Sequence, residues 1–213
     1  IESEILLMSK ILVTGGAGFL GSALVRRLVG LDHKVVVLDN GYRGNVRRLD
    51  SVFSKIQYLE GDIREKETVI NAAVGCKSIF HLAFINGTKY FYENPELVLD
   101  VGVRGALNSI EAAKKHNINT YVLASSSEVY QQPVTIPTKE NERAIIPDVL
   151  NPRFSYAGAK LISELLTVNN LRHKDIRDII FRPHMNMSIK TKFRQDIDSL
   201  DKVNLFPQKN FPE

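Results

Sequence analysis

A tyrosine and a lysine lie four positions apart in the stretch NPRFSYAGAKLISELL, at Tyr156 and Lys160. Asn151 is a residue type that caps helices and Pro152 one that opens them, so the stretch predicts a helix. Residues four apart share a helix face, and a neighbouring ammonium favours the phenolate, so this pair could act as a base. The same spacing occurs by chance in many helices. Here it follows a strand candidate that ends in the polar run ASSSEVY, which favours the chemical interpretation.

A second candidate site lies in TGGAGFLGS, where Gly15, Gly18 and Gly21 recur at intervals of three after the apolar run ILV. In a strand-to-helix turn, the first glycine permits a sharp bend and the second lets backbone N–H groups approach a pyrophosphate. The third allows the helix to pack closely on the sheet. The partial positive charge at the helix N-terminus also favours an anion. This stretch therefore predicts a phosphate cradle.

Asp39 ends a second apolar run, VVVLDN, at the distance of roughly 20 residues where a dinucleotide site places a carboxylate against the ribose 2′-hydroxyl. A carboxylate there would repel a 2′-phosphate, which favours NAD over NADP. Arg43 follows closely and is of a type that accommodates such a phosphate, so the preference is not absolute. An ordinary polar strand end remains the alternative reading of Asp39.

Strand and helix patterns alternate along the chain, which predicts an α/β domain with a doubly wound parallel sheet. The predicted strands are Lys10 to Thr14, Lys34 to Leu38, Ile56 to Leu59, Ser78 to Leu82, Thr120 to Ala124 and Asp178 to Phe181. The predicted helices lie near Gly18 to Val29, Lys66 to Val74, Pro95 to Lys115 and Pro152 to Asn170.

Composition narrows the class of protein. The chain has 213 residues, of which 44% are hydrophobic, and these can bury the core of one domain, or of one domain and part of another. The single cysteine, Cys76, fits a reducing compartment, and no apolar run approaches a membrane span, so we expect a cytoplasmic protein. The opening IESEILLMSK does not resemble a signal peptide, and we expect residues 1–7 to be an upstream extension before Met8. The scattered basic residues do not favour nucleic-acid binding, and no cluster has metal-ligand spacing.

The ordered motifs carry a family resemblance. They are TGGAGFLG, LDN, GDI at Gly61 to Ile63, HLA at His81 to Ala83, SSSEVY at Ser125 to Tyr130, YAGAK at Tyr156 to Lys160, and RP at Arg182-Pro183. From about Met8 to His184 the chain resembles the extended short-chain dehydrogenases/reductases of the NAD-dependent nucleotide-sugar epimerase/dehydratase family. The resemblance implies a Rossmann fold over residues 8–188, NAD as cofactor and a nucleotide sugar as substrate.

The resemblance also implies roles for individual residues. Asp62 and Ile63 would border the adenine, and Leu82 and Ala83 would line the cofactor cleft. The full set of expected cofactor-binding residues is Gly15, Gly18, Phe19, Leu20, Gly21, Asp39, Asn40, Asp62, Ile63, Leu82, Ala83, Tyr156 and Lys160.

The implied catalytic group is Ser126, Tyr156 and Lys160. Tyr156 would take a proton from a sugar hydroxyl while hydride passes from the same carbon to NAD. Lys160 would lower the pKa of Tyr156 and hold the nicotinamide ribose, and Ser126 would hydrogen-bond the reacting oxygen. Ser126 is chosen because it lies four residues before Tyr130, and we expect Ser125 and Ser127 to make backbone hydrogen bonds.

Glu128 bears on the type of reaction. Dehydratases and decarboxylases of the family often carry a glutamate two residues after the active serine or threonine, so Glu128 is a catalytic candidate, with a surface or packing carboxylate as the alternative. Ser127 stands where some dehydratases have an acidic aspartate, which argues against that subtype. The preferred expectation is a UDP-glucose 4-epimerase-like isomerase. A dehydratase, a decarboxylase or a non-catalytic NAD-binding remnant remain alternatives.

Further side chains could take part in chemistry but also have structural explanations. His81 is expected to be a hydrogen-bonded structural histidine rather than a base. The aromatic residues in FINGTKYFYENP could form a wall or lid over the substrate or could simply pack. They are Phe84, Tyr90, Phe91 and Tyr92.

The sequence also departs from the family pattern. GVRGA, with Gly102 and Ala106, replaces NVxGT, so an asparagine hydrogen bond would be missing. Near the end, Met185 takes an asparagine position and Asn186 is displaced by one. Residues 189–213 are expected to be an unrelated tail or a truncated start of the substrate lobe. By analogy with the family, a homodimer through the two long helices is expected.

Overall fold

Six parallel strands form one sheet in the computed structural model, which describes residues 8–172 and 174–183. The strands are β1 Lys10–Thr14, β2 Lys34–Asp39, β3 Ile56–Glu60, β4 Ser78–His81, β5 Thr120–Ala124 and β6 Arg177–Phe181. Their order across the sheet is β3-β2-β1-β4-β5-β6. All six predicted strands are present, with ends that differ by one residue at most. The predicted doubly wound, Rossmann-like α/β fold is confirmed.

Within residues 8–172 and 174–183, five α-helices connect the strands. They are α1 Phe19–Gly30, α2 Lys66–Ala72, α3 Thr88–Glu93, α4 Pro95–Lys115 and α5 Ser155–Leu171. Three short 3₁₀ segments, Val46–Lys55, Ser127–Tyr130 and Pro152–Phe154, complete the connections. The sequence did not predict α3 or the first two 3₁₀ segments, because pieces this short or this polar show no clear helical periodicity.

The core lies on both faces of the sheet. Ile11 and Val13 of β1 pack with Val25 and Leu28 of α1 on one face. Leu12 points to the other face, where it packs in a cluster with residues of α2, α4 and α5. Successive side chains of a strand alternate between faces, so a strand with helices on both sides must be apolar throughout. This explains the unbroken apolar runs of the sequence.

The order of the strands places the candidate site. β1 pairs with β2 on one side and with β4 on the other, so the direction in which the chain winds reverses beside β1. In open α/β sheets, ligands bind at the carboxyl ends of the strands at this reversal point. Thr14, Asp39, His81 and Ala124 are the last residues of β1, β2, β4 and β5, and they surround it.

No helix among the described residues is both long enough and apolar enough to cross a bilayer. The predicted extension 1–7 and the predicted tail 189–213 lie outside the described residues, as do His184, Met185 and Asn186.

Candidate active site

A cavity of about 610 Å³ opens at the carboxyl ends of the strands. Every residue that the sequence analysis assigned to the cofactor lines this cavity, and Ser126 lines it as well. Arg48, Arg64 and Asn86 also line it and were not singled out from the sequence. Arg48 lies in the unpredicted 3₁₀ segment, and the other two lie in loops, so no periodic signal marked them.

The glycine turn forms one end of the cavity. Gly15 has a φ of 71°, and a Cβ on it would lie 2.7 Å from the Ala83 backbone. The Gly18 N–H donates to the Gly15 carbonyl at 3.0 Å, and α1 starts directly afterwards. A Cβ on Gly21 would collide with that same carbonyl, so the third glycine permits packing of α1 against the turn rather than against the sheet. Any larger side chain at these positions would displace the turn.

The Asp39 carboxylate holds the glycine turn in place by accepting backbone hydrogen bonds. Its carboxylate is 7% exposed, and one oxygen accepts the Ala17 N–H while the other accepts the Gly41 N–H, each at 2.9 Å. Each oxygen keeps a second lone pair with which it could accept another hydrogen bond. The Arg43 guanidinium stacks on the Tyr90 ring, 4.8 Å from the ring centroid.

Charged and polar side chains that follow the carboxyl ends of β2 and β3 hold this part of the cavity wall in place. Arg64 donates to both oxygens of Asp62, at 3.1 Å and 2.8 Å, and this pairing holds the pKa of Asp62 below its usual value. Asn40 donates to Asp62 at 3.2 Å, and Arg64 also reaches Asp100 at 3.3 Å. Asn40 and Asp62 are therefore held in one hydrogen-bonded group at the cavity edge.

Tyr156 and Lys160 are both residues of α5, and both line the cavity. The 3₁₀ turn before this helix is capped by Asn151, whose side chain accepts the Arg153 N–H at 3.0 Å, as the sequence indicated. Lys160 is 3% exposed and donates to the Ala124 carbonyl at 2.5 Å. Burial lowers the pKa of Lys160 to about 7, although the nearby Glu164 carboxylate opposes the shift.

Tyr156 departs from the expectation that Lys160 lowers its pKa. Burial raises the pKa of Tyr156 to about 12, a hydrogen bond with Ser126 opposes this shift, and the charge of Glu128 adds to it. The Lys160 Nζ lies 5.7 Å from the centroid of the Tyr156 ring and is directed to the Ala124 carbonyl. Desolvation therefore outweighs the ammonium in this arrangement.

The serine run after β5 separates into distinct contacts. The Ser126 hydroxyl accepts the Glu128 N–H at 3.2 Å and caps the following 3₁₀ segment. The Ser127 N–H donates to the Pro183 carbonyl at 3.1 Å. We expected only backbone hydrogen bonding for Ser125, but its hydroxyl donates to the buried Glu164 carboxylate. That carboxylate requires polar partners, which explains the difference.

Glu128 is half-exposed and forms an ion pair with Arg153, with 2.9 Å between Oε2 and Nη1. In the described part of the chain, Glu128 stands outside the cavity wall that contains Ser126 and Tyr156. Its charge nevertheless acts on Tyr156, whose pKa it helps to raise.

Sequence reasoning missed Glu164, which is 5% exposed and lies one helical turn after Lys160. Its carboxylate accepts hydrogen bonds from Ser125 and from the Arg182 guanidinium. The available signal was its spacing of four residues from Lys160, which continues the helix face that begins at Tyr156. A buried carboxylate needs a cationic partner, and the RP motif supplies it.

His81 is a structural histidine in this arrangement. Its Nδ1 lies 2.9 Å from the Thr14 hydroxyl, and its ring stacks on Tyr121. Burial, assisted by the charge of Lys160, lowers the pKa of His81 to about 3. The ring is therefore neutral at physiological pH.

The four aromatic residues after β4 have different roles. The Phe84 and Phe91 rings each pack on Tyr156 with centroids 5.1 Å apart. Tyr90 carries the Arg43 guanidinium, and the Tyr92 side chain is exposed. Phe84 and Phe91 therefore pack around the phenol of Tyr156, and of the four residues only Phe84 lines the cavity that the described residues form.

Residues 11–199 match the model of the NAD dependent epimerase/dehydratase family. The chain belongs to this family. A putative UDP-glucose 4-epimerase of Methanocaldococcus jannaschii is 33% identical over 158 residues, which are 72% of this chain and 48% of that protein. UDP-glucuronic acid decarboxylase 1 of Arabidopsis thaliana is 31% identical over 160 residues, which are 75% of this chain and 36% of that protein. This chain spans about half or less of the length of these relatives.

Solved structures of epimerases are also similar to this chain. The crystal structure of the UDP-glucose 4-epimerase of Thermus thermophilus in complex with NAD is similar with a TM-score of 0.71 at 26% identity. The similarity covers 81% of this chain and 54% of that one. The family resemblance predicted from the ordered motifs is confirmed.

One departure from the epimerase/dehydratase pattern lies beside the site. Gly102 of α4 takes the position where the pattern has asparagine, and a Cβ on it would lie 2.5 Å from Cζ of Phe84 and 2.8 Å from Cβ of Ala159. The space beside position 102 is therefore filled by a phenylalanine ring. Ala106, at the threonine position of the pattern, is fully buried.

Proposed function

We propose that the protein is an NAD-dependent nucleotide-sugar epimerase, with Ser126, Tyr156 and Lys160 as its catalytic group. The observation that carries this proposal is that these three side chains line the same cavity as the glycine turn and Asp39. The cofactor cradle and the proposed acid–base group therefore share one cavity, in which a bound dinucleotide could reach both. The similarity to a putative UDP-glucose 4-epimerase supports the substrate class.

The cavity fits NAD on the structure's own features. The backbone at Gly15 and Gly21 leaves room only for hydrogen atoms in the turn, which keeps the wall open for a pyrophosphate beside the N-terminus of α1. Asp39 offers lone pairs to ribose hydroxyls while its negative charge disfavours a 2′-phosphate. NAD, when bound, supplies a hydride acceptor next to the sugar carbon that reacts.

In the proposed mechanism, Tyr156 takes the proton of a sugar hydroxyl and later returns it. With its pKa raised to about 12, Tyr156 needs a nearby positive charge before it can lose its own proton. Lys160, whose pKa is about 7, can carry that charge close to neutral pH. A shift of its ammonium from the Ala124 carbonyl toward the phenol would favour the phenolate.

Ser126 would hold the reacting oxygen by a hydrogen bond. Its hydroxyl is 4% exposed, accepts the Glu128 N–H and hydrogen-bonds the Tyr156 phenol, so its proton would turn from the phenol to the sugar oxygen. A donor fixed in this way stabilises negative charge that develops on the sugar oxygen.

Decarboxylation or dehydration is the runner-up, supported by the similarity to a UDP-glucuronic acid decarboxylase. Epimerisation is preferred because Glu128 is paired with Arg153 outside the cavity wall among the described residues. A non-catalytic NAD-binding protein is the third candidate, supported by the departures from the family pattern at Gly102 and Ala106.

We further propose a homodimer through α4 and α5. Leu99, Leu107, Ile162 and Leu165 of these helices are exposed. An apolar surface of this kind is typical of an interaction site.

The first test is calorimetric titration of the chain with NAD and with NADP, followed by UDP-sugars with NAD present. We expect NAD to bind more tightly than NADP, sugar binding to follow, and NMR to show conversion between two epimers. Release of CO2, or loss of water from the sugar, would instead favour the runner-up reaction. NAD binding without any sugar response would support the non-catalytic candidate, and no dinucleotide binding would overturn all three.

A further inference from the structure

The Phe84 ring contacts both Gly102 of α4 and the ammonium of Lys160. The Lys160 Nζ is 3.8 Å from the ring centroid, over the ring face. The Cζ end of the same ring lies so close to Gly102 that a Cβ there would be 2.5 Å away. The contact between Phe84 and Lys160 therefore depends on the absence of a side chain at position 102.

The surroundings of Lys160 explain why this ring matters. A buried ammonium has three N–H donors, and the one hydrogen bond described for Nζ goes to the Ala124 carbonyl. The face of an aromatic ring carries negative charge density and attracts a cation within about 6 Å of its centroid. Phe84 thus supplies the ammonium with a second stabilising contact.

Other ionisable groups around Lys160 come from two elements. On α5, the Glu164 carboxylate favours the ammonium but is itself paired with Arg182, and Tyr156 is neutral. On β4, His81 is a neutral buried ring. Phe84 follows β4 directly and is the aromatic residue described closest to Nζ, since the centroid of Tyr156 is 5.7 Å away.

We propose that Phe84 is a positioning residue that holds the Lys160 ammonium through its ring face, and that Gly102 is the position that admits it. The inference deepens the proposed function, on which it rests for the catalytic role of Lys160. Where the family pattern has an asparagine, this chain has Gly102, and the Phe84 ring that contacts Lys160 occupies the space beside it.

The proposal predicts a pH effect whose sign follows from linkage. The pKa of Lys160 is about 7 in the folded protein, and about 10.4 is usual for an unfolded lysine. Between these values the unfolded chain binds the extra proton, so the contribution of Lys160 to the free energy of unfolding rises with pH. Without the ring, the ammonium of the folded protein is less stable, and the pKa of Lys160 is lower. The pH at which the contribution of Lys160 to the free energy of unfolding begins to rise should therefore fall by roughly half a pH unit to one unit.

The experiment is urea unfolding from pH 5.5 to 9.5, with the Lys160 contribution isolated by pairing each protein with its Lys160→Met version. The proteins are wild type, Phe84→Leu, Phe84→Met and Gly105→Ala. Phe84→Met retains more side-chain length and serves if Phe84→Leu does not fold. Gly105→Ala is the control for a loss of stability that does not involve Phe84, because a Cβ at Gly105 would press on Ile63.

In the Phe84 variants, we expect the contribution of Lys160 to the free energy of unfolding to begin rising at a lower pH. We expect Gly105→Ala to lose the same amount of stability at every pH. Equal losses across the pH range for the Phe84 variants would show that the ring only packs, and would overturn the proposal. The measurement needs neither cofactor nor sugar. If wild type failed to bind NAD, the proposed function would fail while this result would stand by itself.

Discussion

The Glu164 carboxylate and the Arg182 guanidinium form a two-point ion pair, with 2.8 Å from Nε to Oε1 and 2.5 Å from Nη2 to Oε2. Arg182 also donates to the Tyr130 hydroxyl at 2.6 Å and stacks on that ring. One side chain at the end of β6 thereby connects α5 with the segment after β5. These are the two elements that carry the proposed catalytic residues.

Replacing Arg182 with alanine should destabilise the protein by about 3 kcal/mol, because the Glu164 side chain, 6% exposed, would lose its cationic partner. Arg104→Ala is the matched control. Its pair with Asp100 on α4 has a 61% exposed arginine, and such pairs contribute about 0 to 1 kcal/mol. Urea unfolding of both variants gives the comparison. Equal losses of stability in the two variants would show that the buried ion pair stabilises the protein no more than the exposed one does.

Tyr156→Phe should lower the turnover of a UDP-sugar by about two to four orders of magnitude, since the proposed acid–base group is removed. NAD binding should persist, because the ring still packs between Phe84 and Phe91. Calorimetry for NAD and NMR for the sugar products measure the two effects. Turnover that survives this change would exclude Tyr156 as the proton carrier.

The strands and the cofactor wall were accessible from sequence because their signals are local. Unbroken apolar runs predict strands buried on both faces, as at Ile11 to Val13, and glycines at fixed spacing predict the turn. The short helix α3 was missed because a helix of six residues shows little periodicity.

The electrostatics of the site were harder to predict from the sequence, since they depend on contacts between residues that are far apart along the chain. The spacing of Tyr156 and Lys160 was visible, but the carbonyl of Ala124 that receives the ammonium lies on another element. The opposite directions of the two pKa shifts follow from burial, which sequence spacing does not measure. The partner of Glu128 was likewise invisible until Arg153 was placed beside it.

Asp39→Asn should weaken both the turn and the cofactor site. An amide keeps one acceptor oxygen, so either the Ala17 or the Gly41 N–H would face an NH2 group and lose its acceptor. We expect a stability loss of about 1 to 3 kcal/mol and weaker binding of NAD. Asp50→Asn, at an exposed position of the 3₁₀ segment, is the control. Unfolding and NAD titration that match this control would contradict the role given to Asp39.

His81 should contribute an acid-sensitive part of the stability. Its pKa is about 3 in the folded protein, whereas an unfolded histidine has a pKa near 6.5. Between these values the unfolded chain binds one more proton than the folded chain. The His81 contribution is therefore complete above about pH 6.5 and is lost as the pH falls toward 3, with a slope approaching about 1.4 kcal/mol per pH unit.

His81→Asn tests this slope in urea unfolding between pH 4 and 7. An asparagine retains a polar group near the Thr14 hydroxyl but cannot take up a proton in this range. We expect the variant to be less stable than wild type at pH 7, because the ring that stacks on Tyr121 is lost. The difference should narrow toward pH 4, since wild type alone carries the histidine penalty. A constant difference across the range would mean that His81 becomes protonated in the folded protein as easily as in the unfolded chain.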